Sequence, residues 1–216
     1  MNIAPRDVGW IEVICGSMFS GKTEELMRRL RLAQIAKQRV AIFKPKIDDR
    51  YATDAIVSHE GRRIASRVCA HATDVWSAAM GGVDKLSYDV VGIDEAQFFG
   101  LDLVEVCERL ADLGARVIVS GLDQDSRGVP FEPIPQLLAV SEYITKNLAI
   151  CMVCGNPANR SQRTVNRESR VLVGASDAYE ARCRKCFQPP DGERQRVLPL
   201  GTSLPAAPAP AGKMSK

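Results

Sequence analysis

Three groups of residues in this 216-residue chain have types and spacing that could do chemistry. The first, Gly16-Ser17-Met18-Phe19-Ser20-Gly21-Lys22-Thr23, fits G-x-x-x-x-G-K-[ST]. In such a loop backbone N–H groups wrap phosphates, the lysine reaches the outer phosphates and the hydroxyl meets Mg²⁺. The second group is the acid pair Asp94-Glu95, which ends an apolar run. The third is two Cys-x-x-Cys pairs, Cys151/Cys154 and Cys183/Cys186.

Each group needs elements to position it. Ile11 to Cys15 is of strand type, and in Glu24 to Ala36 the residues Leu26, Met27, Leu30 and Ala33 recur at helical spacing. Bound phosphates would therefore sit at a helix N-terminus. A chance glycine turn is the competing reading of the eight residues. The strand before and the helix after decide for nucleotide binding.

Tyr88 to Phe99 reads as an apolar strand ending in two acids. Phosphate-binding ATPases and kinases place such an acid opposite the loop hydroxyl, so Thr23 and Asp94 are expected to share Mg²⁺, directly or through water. Glu95 would turn a second carboxylate into the same cleft. Transfer to an alcohol needs an acceptor for the hydroxyl proton, and a carboxylate there can serve. The alternative is a solvated loop acid or a helix cap. Asp-Glu-Ala-Gln also resembles the Asp-Glu-Ala-Asp boxes of nucleic-acid motors. Motors need a second motor domain or a copy in trans, and no basic and aromatic groove for a single strand accompanies the box here.

Four thiolates from two Cys-x-x-Cys turns match a closed tetrahedral zinc site. The 28 residues from 155 to 182 exceed the spacing of about 15–20 usual in ribbons, so a loop is thrown out between the knuckles. A redox dithiol is the other use of the motif, but two pairs in one small unit favour one metal. The intervening Arg170-Val-Leu-Val-Gly-Ala-Ser-Asp-Ala-Tyr179 would be a preordered clamp. Tyr179 could pack on a base or ribose, or anchor the loop, and both readings stand. Cys15, Cys69 and Cys107 stand apart and read as small buried hydrophobes.

The chain around these groups alternates strand and helix. Arg39–Phe43, Arg116–Asp123 and Tyr143–Leu148 read as strands. Thr73–Met80, Asp102–Leu113 and Pro135–Val140 read as helices, the first two stopped at Gly81-Gly82 and Gly114. The polar segment 44–51 leaves a strand end, and 52–68 reads as loop and weak strand. An α/β fold follows, with a parallel sheet covered on both faces over residues 10–150. Residues 1–9 form an N-terminal tail, 151–189 a small metal unit, and 190–216 an Ala/Pro-rich tail that is expected to be disordered.

Hydrophobic content of 45% and charged content of 25% are those of an ordinary globular protein. No apolar run approaches the roughly 20 residues needed to cross a bilayer, and Met1–Trp10 lacks a signal-peptide core. A cytoplasmic protein without a membrane partner is expected. The net charge of +3 does not point to nucleic acid, and Arg28, Arg29 and Arg31 are expected on a solvated helix face.

Taken in order, the phosphate loop, Asp48-Asp49-Arg50-Tyr51, Asp94-Glu95-Ala-Gln97-Phe-Phe, Gly121-Leu-Asp, the cysteine pairs and Val-Gly-Ala-Ser-Asp-Ala-Tyr179 resemble the type II thymidine kinase family over residues 9–187. The resemblance implies a RecA-like P-loop domain followed by a zinc-ribbon-like domain carrying a substrate lasso. It implies a homotetramer that phosphorylates the 5′-hydroxyl of thymidine with ATP and Mg²⁺, with Glu95 as general base. Asp48, Arg50, Asp94 and Gln97 would join residues 16–23 around ATP. Backbone groups of Arg170, Val171, Leu172, Val173 and Gly174 would hold the base, with Met18, Leu122, Ser126 and Tyr179 beside it. Two positions depart from the family pattern: Ser126 stands where an aromatic ring is usual, and Ala175 where a second glycine is. Both bear on base selectivity. The alternatives are a kinase of another nucleoside and a zinc-bearing ATPase acting on nucleic acid.

Overall fold

The structure is a computed structural model and describes residues 8–46, 55–57, 63–83, 85–165 and 178–189. Asp48, Arg50, the lasso residues Arg170 to Gly174, Ala175 and both expected tails (apart from Val8 and Gly9) lie outside the described residues.

The chain opens with β1 (Trp10–Gly16), α1 (Lys22–Ile35) and β2 (Val40–Pro45). Next come β3 (Ala55–Val57) and β4 (Arg63–Ala65), an antiparallel pair, then β5 (Arg67–Cys69) and α2 (Ala72–Ala79). A small hairpin of β6 (Met80–Gly82) and β7 (Lys85–Leu86) leads to β8 (Val90–Ile93). After it follow α3 (Asp102–Asp112), β9 (Arg116–Gly121), α4 (Ile134–Val140) and β10 (Tyr143–Asn147). Among the described residues six strands form one parallel sheet in the order β10-β1-β9-β8-β2-β5.

Period-two alternation sends the strand side chains into two cores. Ile14, Ile42, Val90 and Ile118 pack on Leu26, Met27, Leu30 and Ala33 of α1. Val13, Phe43, Val91, Ile93, Val117 and Val119 point the other way and meet α2, α3 and α4 through Val75, Leu103, Leu110 and Leu137. With both faces covered, these strands read in the sequence as nearly continuous apolar runs. Leu26 and Leu30 are fully buried, and each contributes about 1.5–3 kcal/mol by leaving water. Cys15, Cys69 and Cys107 are buried in the second core, as small hydrophobes are.

Three local readings differ from the structure. The weak strand expected within 52–68 is present as β3, β4 and the start of β5. However, β5 runs on to Cys69 and belongs to the main sheet, which its three residues are too few to show by period. The strand carrying the acids stops at Ile93, so Asp94 and Glu95 stand beyond it, and a 3-10 turn follows at Ala96–Phe98. Arg29 is not on a solvated face: its side chain is 13% exposed and pairs at 2.7 Å with buried Glu12, on the same face of β1 as Ile14. Arg28 and Arg31 do face solvent.

Beyond β10 the chain forms two short antiparallel hairpins, β11 (Ala149–Ile150) with β12 (Pro157–Ala158) and β13 (Arg160–Arg163) with β14 (Tyr179–Arg182). The Met152 N–H donates to Ala181 O at 3.0 Å and joins them. Their core is small, built from Ala149, Ala158, Ala181, Cys151 and Cys183.

Candidate active site at the carboxyl end of the sheet

The phosphate loop connects β1 to α1 through backbone that ordinary residues resist. Gly16 has φ 148°, Phe19 φ 63° and Gly21 φ 76°. At Gly16 a Cβ would stand 2.3 Å from the Asn147 carbonyl oxygen, so only glycine fits. Gly21 begins α1 without a side-chain cap, which leaves the leading N–H groups of the helix to an anion. Lys22 Nζ donates to Ser17 O at 2.8 Å and folds over the loop. Burial lowers the Lys22 pKa, against the pull of Glu95, Asp94 and Asp123.

β9 lies between β1 and β8, so the ends of all three strands converge on Lys22. Asp94 is 5% exposed, and its Oδ2 accepts from Thr23 Oγ1 at 3.3 Å. Burial, then the charge of Glu95, pushes the Asp94 carboxyl up to about 6. These are oxygen donors of the kind a hard divalent cation takes. Glu95 has φ 52° and ψ 38°, left-handed backbone in a residue with a side chain. Such conformations cost about 1–3 kcal/mol and cluster at functional positions. Gln97, 2% exposed, donates from Nε2 to Glu95 Oε2 and accepts the Leu122 N–H at 2.9 Å on Oε1.

The loop after β9 is tight. The Asp125 carboxylate accepts the N–H groups of Arg127 at 2.9 Å and Val129 at 3.0 Å, and Ser126 is buried within the turn. Phe131 meets Phe98 edge to face, with centroids 5.9 Å apart.

The small unit docks on the phosphate loop. Met18 N–H donates to Ser161 Oγ at 3.0 Å, and Ser17 Oγ donates to Ala158 O at 3.4 Å. Tyr179 is buried on β14, where its hydroxyl accepts from Arg163 at 3.0 Å and its ring faces the same guanidinium. That is the anchoring half of what its sequence position allows. The ligating atoms of Cys151, Cys154, Cys183 and Cys186 all lie within 4.8 Å of one another. Cys154 Sγ is 3.6 Å from both Cys183 Sγ and Cys186 Sγ. Zn–S bonds near 2.3 Å in a tetrahedron put sulfurs about 3.8 Å apart, so the quartet could hold zinc. Burial works against a Cys151 thiolate, yet the N–H groups of Cys183, Val153 and Cys154 bring it down to about 6.

The structure thus brings together Gly16–Thr23, Asp94, Glu95, Gln97 and Leu122, and it brings Tyr179 and the cysteines into the adjoining unit. Sequence reasoning missed Asp123 and Ser161. Asp123 is buried, ion-paired to Lys146 at 2.7 Å, and acts electrostatically on Lys22. Its signal was available, because it follows β9 as Asp94 follows β8, and acids at the carboxyl ends of parallel strands face the ligand crevice. Ser161 carried no signal, since a lone serine in a short polar strand is unremarkable.

The thymidine kinase family model matches residues 9–187. A thymidine kinase of Rhodothermus sp. (strain ITI 518) is 58% identical over 94% of this chain and 90% of its own. A thymidine kinase of Bdellovibrio bacteriovorus is 53% identical over 84% of this chain and 86% of its own. Among solved structures, a DNA replication initiation factor shares 14% identity over 65% of this chain and 40% of its own, with a TM-score of 0.38, too distant to carry an argument. A family match over most of the chain and relatives more than half identical along nearly their full lengths leave one conclusion: the chain belongs to the thymidine kinase family.

Proposed function

We propose that the protein transfers the γ-phosphate of ATP to the 5′-hydroxyl of thymidine. The observation that carries the chemistry is the meeting of Lys22, Thr23, Asp94 and Glu95 at one helix N-terminus. Family membership supplies the acceptor. The loop Gly16–Thr23 wraps the phosphates, and Lys22 offsets their charge. Mg²⁺, held by Thr23 and Asp94, would neutralise charge on the transferring group. Glu95 takes the proton of the 5′-hydroxyl as its oxygen bonds the γ-phosphorus, and the bond to the β-bridging oxygen breaks with its electron pair leaving on ADP.

The same reading places Asp48 and Arg50 on the triphosphate. It puts the backbone of Arg170 to Gly174 on the base, with Met18, Leu122, Ser126 and Tyr179 around it. Backbone hydrogen bonds read donors and acceptors of a planar base in a fixed array. Zinc in the cysteine quartet would be structural, in the small unit built on β11 to β14 rather than in the domain of the main sheet. The protein would act in the cytoplasm as a homotetramer. Exposed Leu32 and Ile35 on α1, and Ile144 on β10, which is an edge strand among the described residues, offer apolar surface to further copies. No helix among the described residues is long and apolar enough to cross a membrane.

The test is a nucleoside panel with purified protein, ATP and Mg²⁺. Thymidine-dependent formation of ADP and dTMP is expected, with light scattering giving the mass of four chains. Turnover stimulated by single-stranded nucleic acid and indifferent to nucleosides would overturn the reading. Glu95→Gln should lose orders of magnitude in kcat with ATP binding retained; near-normal turnover would remove Glu95 from the mechanism.

A further inference from the structure

Gln97 is almost fully buried, and its amide is used at both ends. Nε2 can only donate and Oε1 can only accept, so a flipped amide would set two donors face to face at Leu122 and two acceptors at Glu95. One orientation satisfies both partners. The local fold is arranged around it. The left-handed Glu95 turns the chain into the 3-10 turn, with Phe98 N–H donating to Glu95 O at 3.1 Å, and this brings Gln97 back beside the Glu95 carboxylate. At Gly121 a Cβ would approach Gln97 Oε1 to 3.0 Å and Ile134 Cδ1 to 2.5 Å, so the missing side chain makes room for the amide.

We infer that Gln97 is a positioning residue, a two-ended brace that aims the Glu95 carboxylate and ties that aim to the loop after β9. The inference rests on the reading of Glu95 as proton acceptor. The brace occupies Oε2 and leaves Oε1 to take the proton. Through Leu122 N–H it also joins the general base to the loop that carries Ser126, so a shift of that loop on substrate binding is felt at the carboxylate. Both amide atoms are engaged within the protein, one on the proposed base and one on the loop after β9.

The test measures kcat and both KM values for Gln97→Met and Gln97→Glu, each in the parent and in the Glu95→Gln background. Met removes both hydrogen bonds at similar volume. Glu keeps an acceptor for Leu122 N–H but sets a carboxylate against Glu95, so it probes the aim even where Met weakens the fold. Expected is a loss in kcat of about 10–100-fold for both, with the KM for ATP within about threefold, and no more than about twofold further loss once Glu95 is Gln, because residues acting as one unit are not additive. Thermal melts accompany each variant. Parent-like kcat in both variants, or an equal loss in the two backgrounds, overturns the brace while leaving Glu95 as base. Near-normal turnover of Glu95→Gln alone removes the base and the brace together, so the two failures are distinguishable.

Discussion

The Met18 N–H and the Ser161 hydroxyl are hydrogen-bonded at 3.0 Å across 143 positions of sequence. With Ser17 on the Ala158 carbonyl, this bond makes the phosphate loop and the cysteine unit a single surface. Loop backbone that holds positive φ at Phe19 needs outside support, and β12 and β13 supply it.

Ser161→Ala should therefore weaken nucleotide binding more than it weakens the fold. Leaving a buried N–H unpaired costs about 1–3 kcal/mol, and the part-buried Met18 N–H stands at the lower end of that range. We expect the KM for ATP to rise about three- to tenfold with kcat largely retained. An unchanged KM would show that the loop holds its shape alone.

Removing the metal site should propagate along the same contact. Elemental analysis of the parent is expected to give one zinc per chain, and Cys154→Ser or chelation to abolish it and lower Tm. ATP binding should weaken in the same samples, because β13, which carries Ser161, is paired with β14, and β14 leads directly into Cys183. Fully folded, metal-free protein with normal ATP binding would refute a structural role.

Thr23 and Asp94 should behave as one unit. Thr23→Val and Asp94→Asn are each expected to lose on the order of 100-fold or more in kcat, and the double variant should be little worse than either. Steady-state kinetics over a Mg²⁺ titration checks this. Strict additivity would separate the two residues.

The charge cluster on α1 gives a pH dependence. Glu25 accepts from Arg28 and then Arg29, which outweigh its partial burial and bring its carboxyl down to about 2 from 4.5. Folding thus favours the charged form, so the stabilisation is full above about pH 4.5 and fades as pH falls towards 2. Glu12 is also lowered: burial raises it, but hydrogen bonds from Arg116 and Trp10, with the charges of both arginines, prevail. Glu25→Gln should cost less than about 1 kcal/mol at pH 7, being a surface pair. Glu12→Gln should cost more, about 1–3 kcal/mol, since the ion pairs of Arg29 and Arg116 with the buried carboxylate are lost while Arg29 keeps Glu25 and Thr145. Denaturant unfolding at pH 7 and below pH 3 measures both, and the differences should shrink at the lower pH.

Much of this was legible before any coordinates. The phosphate loop is a contiguous motif with a strand before it and a helix after it, and both appear where the period placed them. The parallel sheet followed from alternation of apolar runs with amphipathic segments. The place of β5 in the main sheet was not legible, because three residues with one exposed arginine carry no period. Arg29 was misread for a related reason: helical spacing shows which residues share a face, but not that Glu12 waits beneath one of them.

The sequence by itself determined the residue types of the chemistry: a glycine-rich loop with Lys22 and Thr23, two acids after a strand, and four cysteines at metal spacing. These are local patterns, and local patterns survive in one dimension. Tertiary structure alone decided which groups meet. It set β9 between β1 and β8, so that Asp123 joins Asp94 and Glu95 around Lys22, and it laid β13 against the loop. It also turned Gln97 from a residue beside an acid into a brace between Glu95 and Leu122. The reason is physical: hydrogen bonds and electrostatic coupling fall off over a few ångströms of space, and strand order, which sets those distances, is chosen by packing of the whole sheet.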